Sequence, residues 1–245
     1  MNLARRAFAE FAGTAALVAV VVGSGIMATD LSRDVGVQLL ANSLATAAGL
    51  AVLILILGPV SGAHFNPVVS VAAWVLARRD AAPAMRGREV AAYVPAQVAG
   101  AVAGAVLANA MFALPAVQIS ARDRSAPHLL LGEVVATAGL IVVVFALARQ
   151  GRAALSPVVV GGYIGAAYWF TSSTSFANPA VTLGRAFTDT FAGIAPASAP
   201  GFIVAQLAGA ALGGLLLVVL YPNSPQSGAE PVPGSAYQAA ADQPR

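Results

Sequence analysis

The sequence predicts an all-α membrane protein, built of six transmembrane helices plus two re-entrant half-helices in an inverted repeat. Three observations predict it. Hydrophobic residues make up 58% of the 245-residue chain and charged residues only 9%, where a soluble domain carries about 25% charged residues. Six apolar stretches alternate with short arginine clusters. The dipeptide Asn-Pro occurs twice, as Asn66-Pro67 and Asn178-Pro179, each time in the middle of hydrophobic sequence.

The first span is expected over about Ala7 to Ala28, after Arg5-Arg6. Two arginines followed by an apolar run also read as a signal peptide. The run is long for that, and Glu10 near its start recurs later in a matched context. The second span covers about Val35 to Leu57. The third runs from about Val90 to Phe112, after a loop holding Arg78, Arg79, Arg86 and Arg88. A polar loop from Leu114 to Pro127 leads to the fourth span, about Leu129 to Ala148, which ends at Arg149 and Arg152. The fifth covers about Ser156 to Phe170 and the sixth about Gly201 to Tyr221. The channel-like domain is thus 1–221, with repeat one over about 7–112 and repeat two over about 129–221. Residues 222–245 are rich in Pro, Ser, Gln and Ala and read as a disordered tail.

Each Asn-Pro marks a helix start where a span should not start. Proline lacks a backbone donor and suits the first helical position. Asparagine before it is a favoured N-cap. The run from Val68 to Ala77 is stopped by Arg78-Arg79-Asp80. A helix of about ten to twelve residues is roughly 15–18 Å long, against about 30 Å of hydrocarbon. It reaches about halfway, as a half-helix. The second half-helix covers about Pro179 to Phe187.

Six crossings leave both termini on one side. Eight arginines (Arg5, Arg6, Arg78, Arg79, Arg86, Arg88, Arg149, Arg152) fall on that side and four (Arg33, Arg122, Arg124, Arg185) on the other. Positive-inside bias makes the termini cytoplasmic, in the inner (plasma) membrane. The lipid bilayer is therefore the expected partner. The net charge of +3 and pI of about 9.8 do not indicate nucleic acid, because the chain has no lysine and its arginines sit between apolar runs. It has no cysteine, which excludes disulfides and thiolate ligands. No nucleophile–base pair or metal-ligand cluster stands out, so no enzyme, metal or cofactor is expected.

The chain also repeats itself. Glu10-x-x-x-Thr14 is echoed by Glu133-x-x-x-Thr137. Ala96-Gln97-x-Ala99-Gly100 is echoed by Ala205-Gln206-x-Ala208-Gly209, with the Asn-Pro pair between them in register. Three spans per half invert the second copy, and inverted repeats with broken helices mark a transport pathway at the midplane. Irregular backbone at that depth is tolerated only against protein or a watery cavity. Two half-helices from opposite sides would meet at Pro67 and Pro179, with both positive N-termini at the centre. That field repels protons and cations. The amides of Asn66 and Asn178 can donate to a passing oxygen, and the carbonyls of residues 62–64 and 174–176 can accept. Such a file suits water or a small neutral hydroxylated solute.

Ser61-Gly62-Ala63-His64-Phe65-Asn66-Pro67, the second Asn178-Pro179-Ala180, the paired glutamates and the six-span duplication resemble the aquaporin, or major intrinsic protein, family over about Ala7 to Tyr221. The resemblance implies a homotetramer with one pore per protomer. It implies that Asn66 and Asn178 are paired pore asparagines and that Glu10 and Glu133, with His64, buttress the loops. Small neutral solutes are then the cargo. Two departures stand out. Val68 replaces the family's usual alanine, which reads as a packing variation. Val181 stands where the family's outer constriction usually places an arginine. Arg185 follows one turn later and reads as an interfacial anchor rather than a mouth residue. The other constriction positions carry over to Thr46 and Ser175. The fifth-span position is Ala166, or Tyr168 if the link before Asn178 is shorter here. The mouth is therefore expected to be wider and less cationic than in a strict water channel. Similar members lacking that arginine are associated with glycerol-like solutes and neutral metalloid hydroxides such as arsenite. A strict water channel, a formate/nitrite-type anion channel and a secondary transporter are the alternatives. The last needs an ion site, for which the spans offer few candidates beyond Glu10 and Glu133.

Overall fold

The computed structural model describes residues 2–79 and 85–222. Asp80 and residues 223–245, nearly all of the expected tail, lie outside the described residues. Eight α-helices follow in order: α1 (Leu3–Leu31), α2 (Val35–Ser61), α3 (Pro67–Arg79), α4 (Gly87–Met111), α5 (Pro127–Arg149), α6 (Ser156–Phe170), α7 (Pro179–Gly184) and α8 (Ala199–Leu220). A 3₁₀ turn, Ala153–Leu155, leads into α6, and another, Arg185–Phe187, continues α7. Six of these segments are long and apolar enough to cross a membrane: α1, α2, α4, α5, α6 with its lead-in turn, and α8. The two left over, α3 and α7, are the half-helices.

Local chemistry sets the helix ends. Asp34 caps α2 by accepting from the Val37 amide at 2.9 Å. Gly62, at φ 93°, ends α2 in the left-handed region, where a residue without Cβ is unstrained. Pro127 opens α5, and Asn178 caps α7 by accepting from the Ala180 and Val181 amides.

The helices pack as two matched sets, with each of α1–α4 corresponding to the helix four places later. Helix α1 packs on α4, and α5 on α8; α2 and α6 face one another across the two halves. Glycines make the first two contacts possible. A Cβ on Gly100 would stand 2.3 Å from the Phe11 carbonyl oxygen, and one on Gly104 2.2 Å from that of Ala15. In the second half, a Cβ on Gly209 would meet the Val134 oxygen at 2.5 Å and one on Gly213 that of Ala138 at 2.4 Å. Small residues let membrane helices approach to backbone contact, where dispersion replaces the hydrophobic effect as the main attraction. Each half-helix packs against the last span of both halves: α3 on α4 and α8, α7 on α8 and α4.

The two ends of the bundle differ. At one, Arg6 pairs with Glu89 at 2.6 Å and Arg149 donates to the Tyr221 carbonyl. At the other, Ala195 donates to the Arg122 carbonyl at 2.7 Å and the Arg124 amide to the Ser198 hydroxyl at 2.9 Å.

Enlarging the glycine stripes should separate the matched helix pairs. Gly104→Leu or Gly213→Leu is expected to destabilise the protein by about 1–3 kcal/mol or more. Gly214→Ala, where an added Cβ meets nothing within 4 Å, should be neutral or slightly stabilising. Thermal unfolding in detergent checks this; equal midpoints for all three variants would contradict it.

Candidate functional site

Two short loops, residues 62–66 and 174–178, lead into α3 and α7 and carry the centre of the molecule. Their backbones follow one pattern. Ala63 (φ 50°) and Phe65 (φ 51°) in the first correspond to Ser175 (φ 51°) and Ala177 (φ 47°) in the second, with Thr174 at φ 62° matching Gly62. A non-glycine residue held there costs on the order of 1–2 kcal/mol, so something else must hold it.

What holds it is a fully buried carboxylate in each half. Glu10 accepts from the Ser61 hydroxyl at 2.6 Å, the His64 amide at 3.0 Å, the Phe65 amide at 2.7 Å and the Gln97 side chain at 2.7 Å. Glu133 accepts from the Phe176 amide at 2.9 Å, the Ala177 amide at 2.8 Å and the Gln206 side chain at 2.6 Å. A buried ionised carboxylate is tolerable only when its lone pairs are taken up. Gln97 and Gln206 each reach one residue further, to the Ser70 and Thr182 hydroxyls at 3.0 and 2.9 Å. Those hydroxyls in turn donate to the Asn66 and Asn178 carbonyls. On the α3 side the His64 ring adds a contact to the Ser70 hydroxyl at 3.0 Å and an edge-on contact to Tyr93.

The half-helix tips meet through the asparagines. The Asn66 amide donates to the Ala177 carbonyl at 2.8 Å, and the Asn178 amide to the Phe65 carbonyl at 2.7 Å. Their side-chain oxygens accept from the first helical amides, Val68 at 3.0 Å and Ala180 at 3.0 Å. Each amide group has two hydrogens, so one remains after the crossed bond. Pro67, Val68, Pro179 and Ala180 are buried around this junction.

A cavity of about 290 Å³ runs along the junction. Asn66, Asn178 and His64 line it. So do Thr46, Tyr168, Ser175 and Val181. The Thr46 and Tyr168 hydroxyls lie 3.2 Å apart. The Ser175 hydroxyl is buried and has no partner. Leu17, Val21, Leu50, Val160 and Ile164 give the wall an apolar side.

Of the two fifth-span alternatives one lines the cavity, and one expectation, for Arg185, is corrected. Ala166 is exposed on the outer face of α6, and Tyr168 takes the lining position. Tyr168 is the alternative that goes with a shorter link before Asn178. Arg185 is not an interfacial anchor. It is 3% exposed and lines the cavity. Its Nε donates to the Ala192 carbonyl, and its guanidinium lies 3.4 Å over the Phe176 ring. The mouth therefore keeps a cation, although position 181 is valine. Arg124 approaches the same ring at 5.1 Å and donates to the Gly193 carbonyl at 2.9 Å. Burial, with Arg122 beside it, lowers Arg124 to about 10; it is still charged at neutral pH. Sequence reasoning had noted Gln97 and Gln206 only as repeat markers and had missed their clamping role. The shared Ala-Gln-x-Ala-Gly context of the two glutamines, after a Glu-x-x-x-Thr in each half, is the available signal.

Comparisons with known proteins agree with this fold. A family model described as Major intrinsic protein matches residues 1–177. The chain is 54% identical over 209 residues to the aquaglyceroporin AqpS of Rhizobium meliloti, covering 85% of this chain and 87% of that one. It is 31% identical over 231 residues to a glycerol uptake facilitator protein of Pseudomonas aeruginosa, covering 82% and 79%. Among solved structures, the aquaglyceroporin from Plasmodium falciparum superposes with a TM-score of 0.65 at 20% identity, covering 90% of this chain and 96% of that one.

Replacing Glu133 by Gln puts an amide donor against backbone donors. It should cost about 1.5–3 kcal/mol, the worth of a charged hydrogen bond. Glu89→Gln, at the rim pair with Arg6, should cost about 0–1 kcal/mol. Unfolding midpoints of the two variants in detergent decide it, and equal losses would count against the loop-holding role.

Proposed function

This chain belongs to the major intrinsic protein family, whose members are channels and not enzymes, and on that premise we propose that it is a passive multi-pass channel for water and small uncharged solutes of glycerol type. Val181 at the constriction is the observation that carries the wider solute range. It leaves a short apolar side chain where an arginine would otherwise narrow the pore. Thr46, Tyr168 and Ser175 add hydroxyl side chains to the lining of the same cavity, which also has apolar residues. A polyol fits such a lining, with its hydroxyls on one side and its carbon chain on the other.

Asn66 and Asn178 act as paired donors at the centre, using the amide hydrogens left over from their crossed bonds. Carbonyls of residues 62–64 and 174–176 accept from the solute on either side. A passing solute thus trades water for fixed partners. The positive N-termini of α3 and α7 meet at the same point and repel protons and cations. A secondary transporter would need a coupling-ion site, and both buried carboxylates are already committed to backbone amides.

Neutral metalloid hydroxides such as arsenous acid are polyol-like in shape and hydrogen bonding, and we include them in the solute range. The resemblance further supports a homotetramer with one pore per protomer. The arginine asymmetry supports cytoplasmic termini in the inner membrane, with α3 entering from the cytoplasm and α7 from outside.

Stopped-flow light scattering on reconstituted vesicles tests the function directly. Glycerol and arsenous acid should cross by a route insensitive to pH and sodium gradients. Water flux without either solute would favour a strict water channel. Val181→Arg should slow glycerol by about tenfold, the effect of roughly 1.4 kcal/mol on a barrier, while sparing water more. Equal loss of both fluxes, or none, would refute the constriction assignment. Proton conductance through the wild-type protein would refute the central barrier.

A further inference from the structure

We propose that the α7-side mouth contains a binding site for one small planar oxyanion, of nitrate or carboxylate type, centred on Arg185. The guanidinium is buried and faces the cavity, yet its one hydrogen bond among the described residues uses Nε, to the Ala192 carbonyl. That bond and the Phe176 ring beneath fix its plane. Its remaining N–H donors form a rigid fork of the kind that matches a planar oxyanion edge.

Among the described residues, no carboxylate completes this fork. The described ion pair, Arg6 with Glu89, lies at the opposite end of the bundle. Asp123 accepts from Ser125 and Ser198. Asp189 accepts from the Ala121 amide at 2.9 Å. Glu133 is taken up by Phe176, Ala177 and Gln206. A buried cation is costly unless a counter-charge bonds it directly; Glu133 acts on Arg185 only through space, and a second cation, Arg124, stands over the same ring. Both cations raise the local affinity for an anion.

A second observation points to a ligand independently. Ser175 is 3% exposed, lines the cavity and leaves its hydroxyl unpartnered. Buried hydroxyls in folded proteins are nearly always hydrogen-bonded. Ser175 adjoins Phe176, over which Arg185 lies. An oxyanion held by the fork is the acceptor this hydroxyl lacks. Once bound, it would stand in the pathway, so the site doubles as a point at which anions slow the passage of neutral solutes. Only that consequence rests on the channel reading.

Calorimetric titration of purified protein in detergent, with sodium nitrate in a chloride-free buffer, tests the site without any flux. Wild type should bind one nitrate per chain. Arg185→Gln should weaken this by about tenfold or more, the worth of a charge-assisted bond, and Arg185→Lys should recover part of the loss. Should Arg185→Gln fail to fold, Ser175→Ala serves instead and should weaken binding by a smaller factor. Absence of nitrate binding to wild type overturns the proposal, as does unchanged affinity in Arg185→Gln or Ser175→Ala. In vesicles, nitrate on the α7 side should slow glycerol flux through wild type but not through Arg185→Gln; equal slowing of both overturns it too. Absence of any glycerol flux bears instead on the channel reading, because the calorimetry does not depend on it.

Discussion

Two carboxyl groups sealed inside an apolar bundle are the constraint from which the centre of this molecule follows. Glu10 and Glu133 are fully buried. Left unpaired, either would cost more than the fold could bear. Each is satisfied by backbone amides of a loop that is neither helix nor strand, and the carboxylate and the irregular loop stabilise one another. The left-handed residues at 63, 65, 175 and 177 are the strain this exchange sustains. They orient the loop so that its amides turn toward the carboxylate and its next residue, an asparagine, reaches the other half.

Duplication makes this arrangement twice, and the differences between copies lie at the two mouths. Ser61 and Ser173 each accept from the amide two residues on, and Ser61 also donates to the Glu10 carboxylate. Gln97 and Gln206 clamp alike. The copies part at His64 and Phe176. The first places an imidazole against Ser70 and Tyr93, within reach of Arg6 and Glu89 through Tyr93. The second places an aromatic ring under Arg185 and Arg124. One scaffold thus presents a hydrogen-bonded, charge-balanced end and a cation-rich end.

Most of the fold was legible from residues alone. Each span was expected within a few residues of where it stands, because apolar runs bounded by arginine leave little choice in a bilayer. The half-helices were legible because Asn-Pro has a single sensible place in a helix. The pore lining was less so. The fifth-span residue depends on the length of an irregular link, and propensity says nothing about how many residues such a link consumes; Tyr168 faces inward and Ala166 does not for that reason. Arg185 was misread because an arginine near a helix end usually goes to the interface. The 3₁₀ turn after Gly184 redirects it, and the Ala192 carbonyl that captures it lies seven residues on in a loop without regular pattern. Sequence spacing carries no trace of that capture.

The crossed bonds between Asn66 and Ala177 and between Asn178 and Phe65 have a mechanical implication. Pulling the tips of α3 and α7 apart breaks both at once and leaves two carbonyls and two amides without their protein partners. The waist of the conduit is therefore rivetted, and opening it costs two hydrogen bonds together. Control over throughput comes more cheaply at the vestibules, where the two halves of the chain differ and side chains can rearrange without tearing the junction.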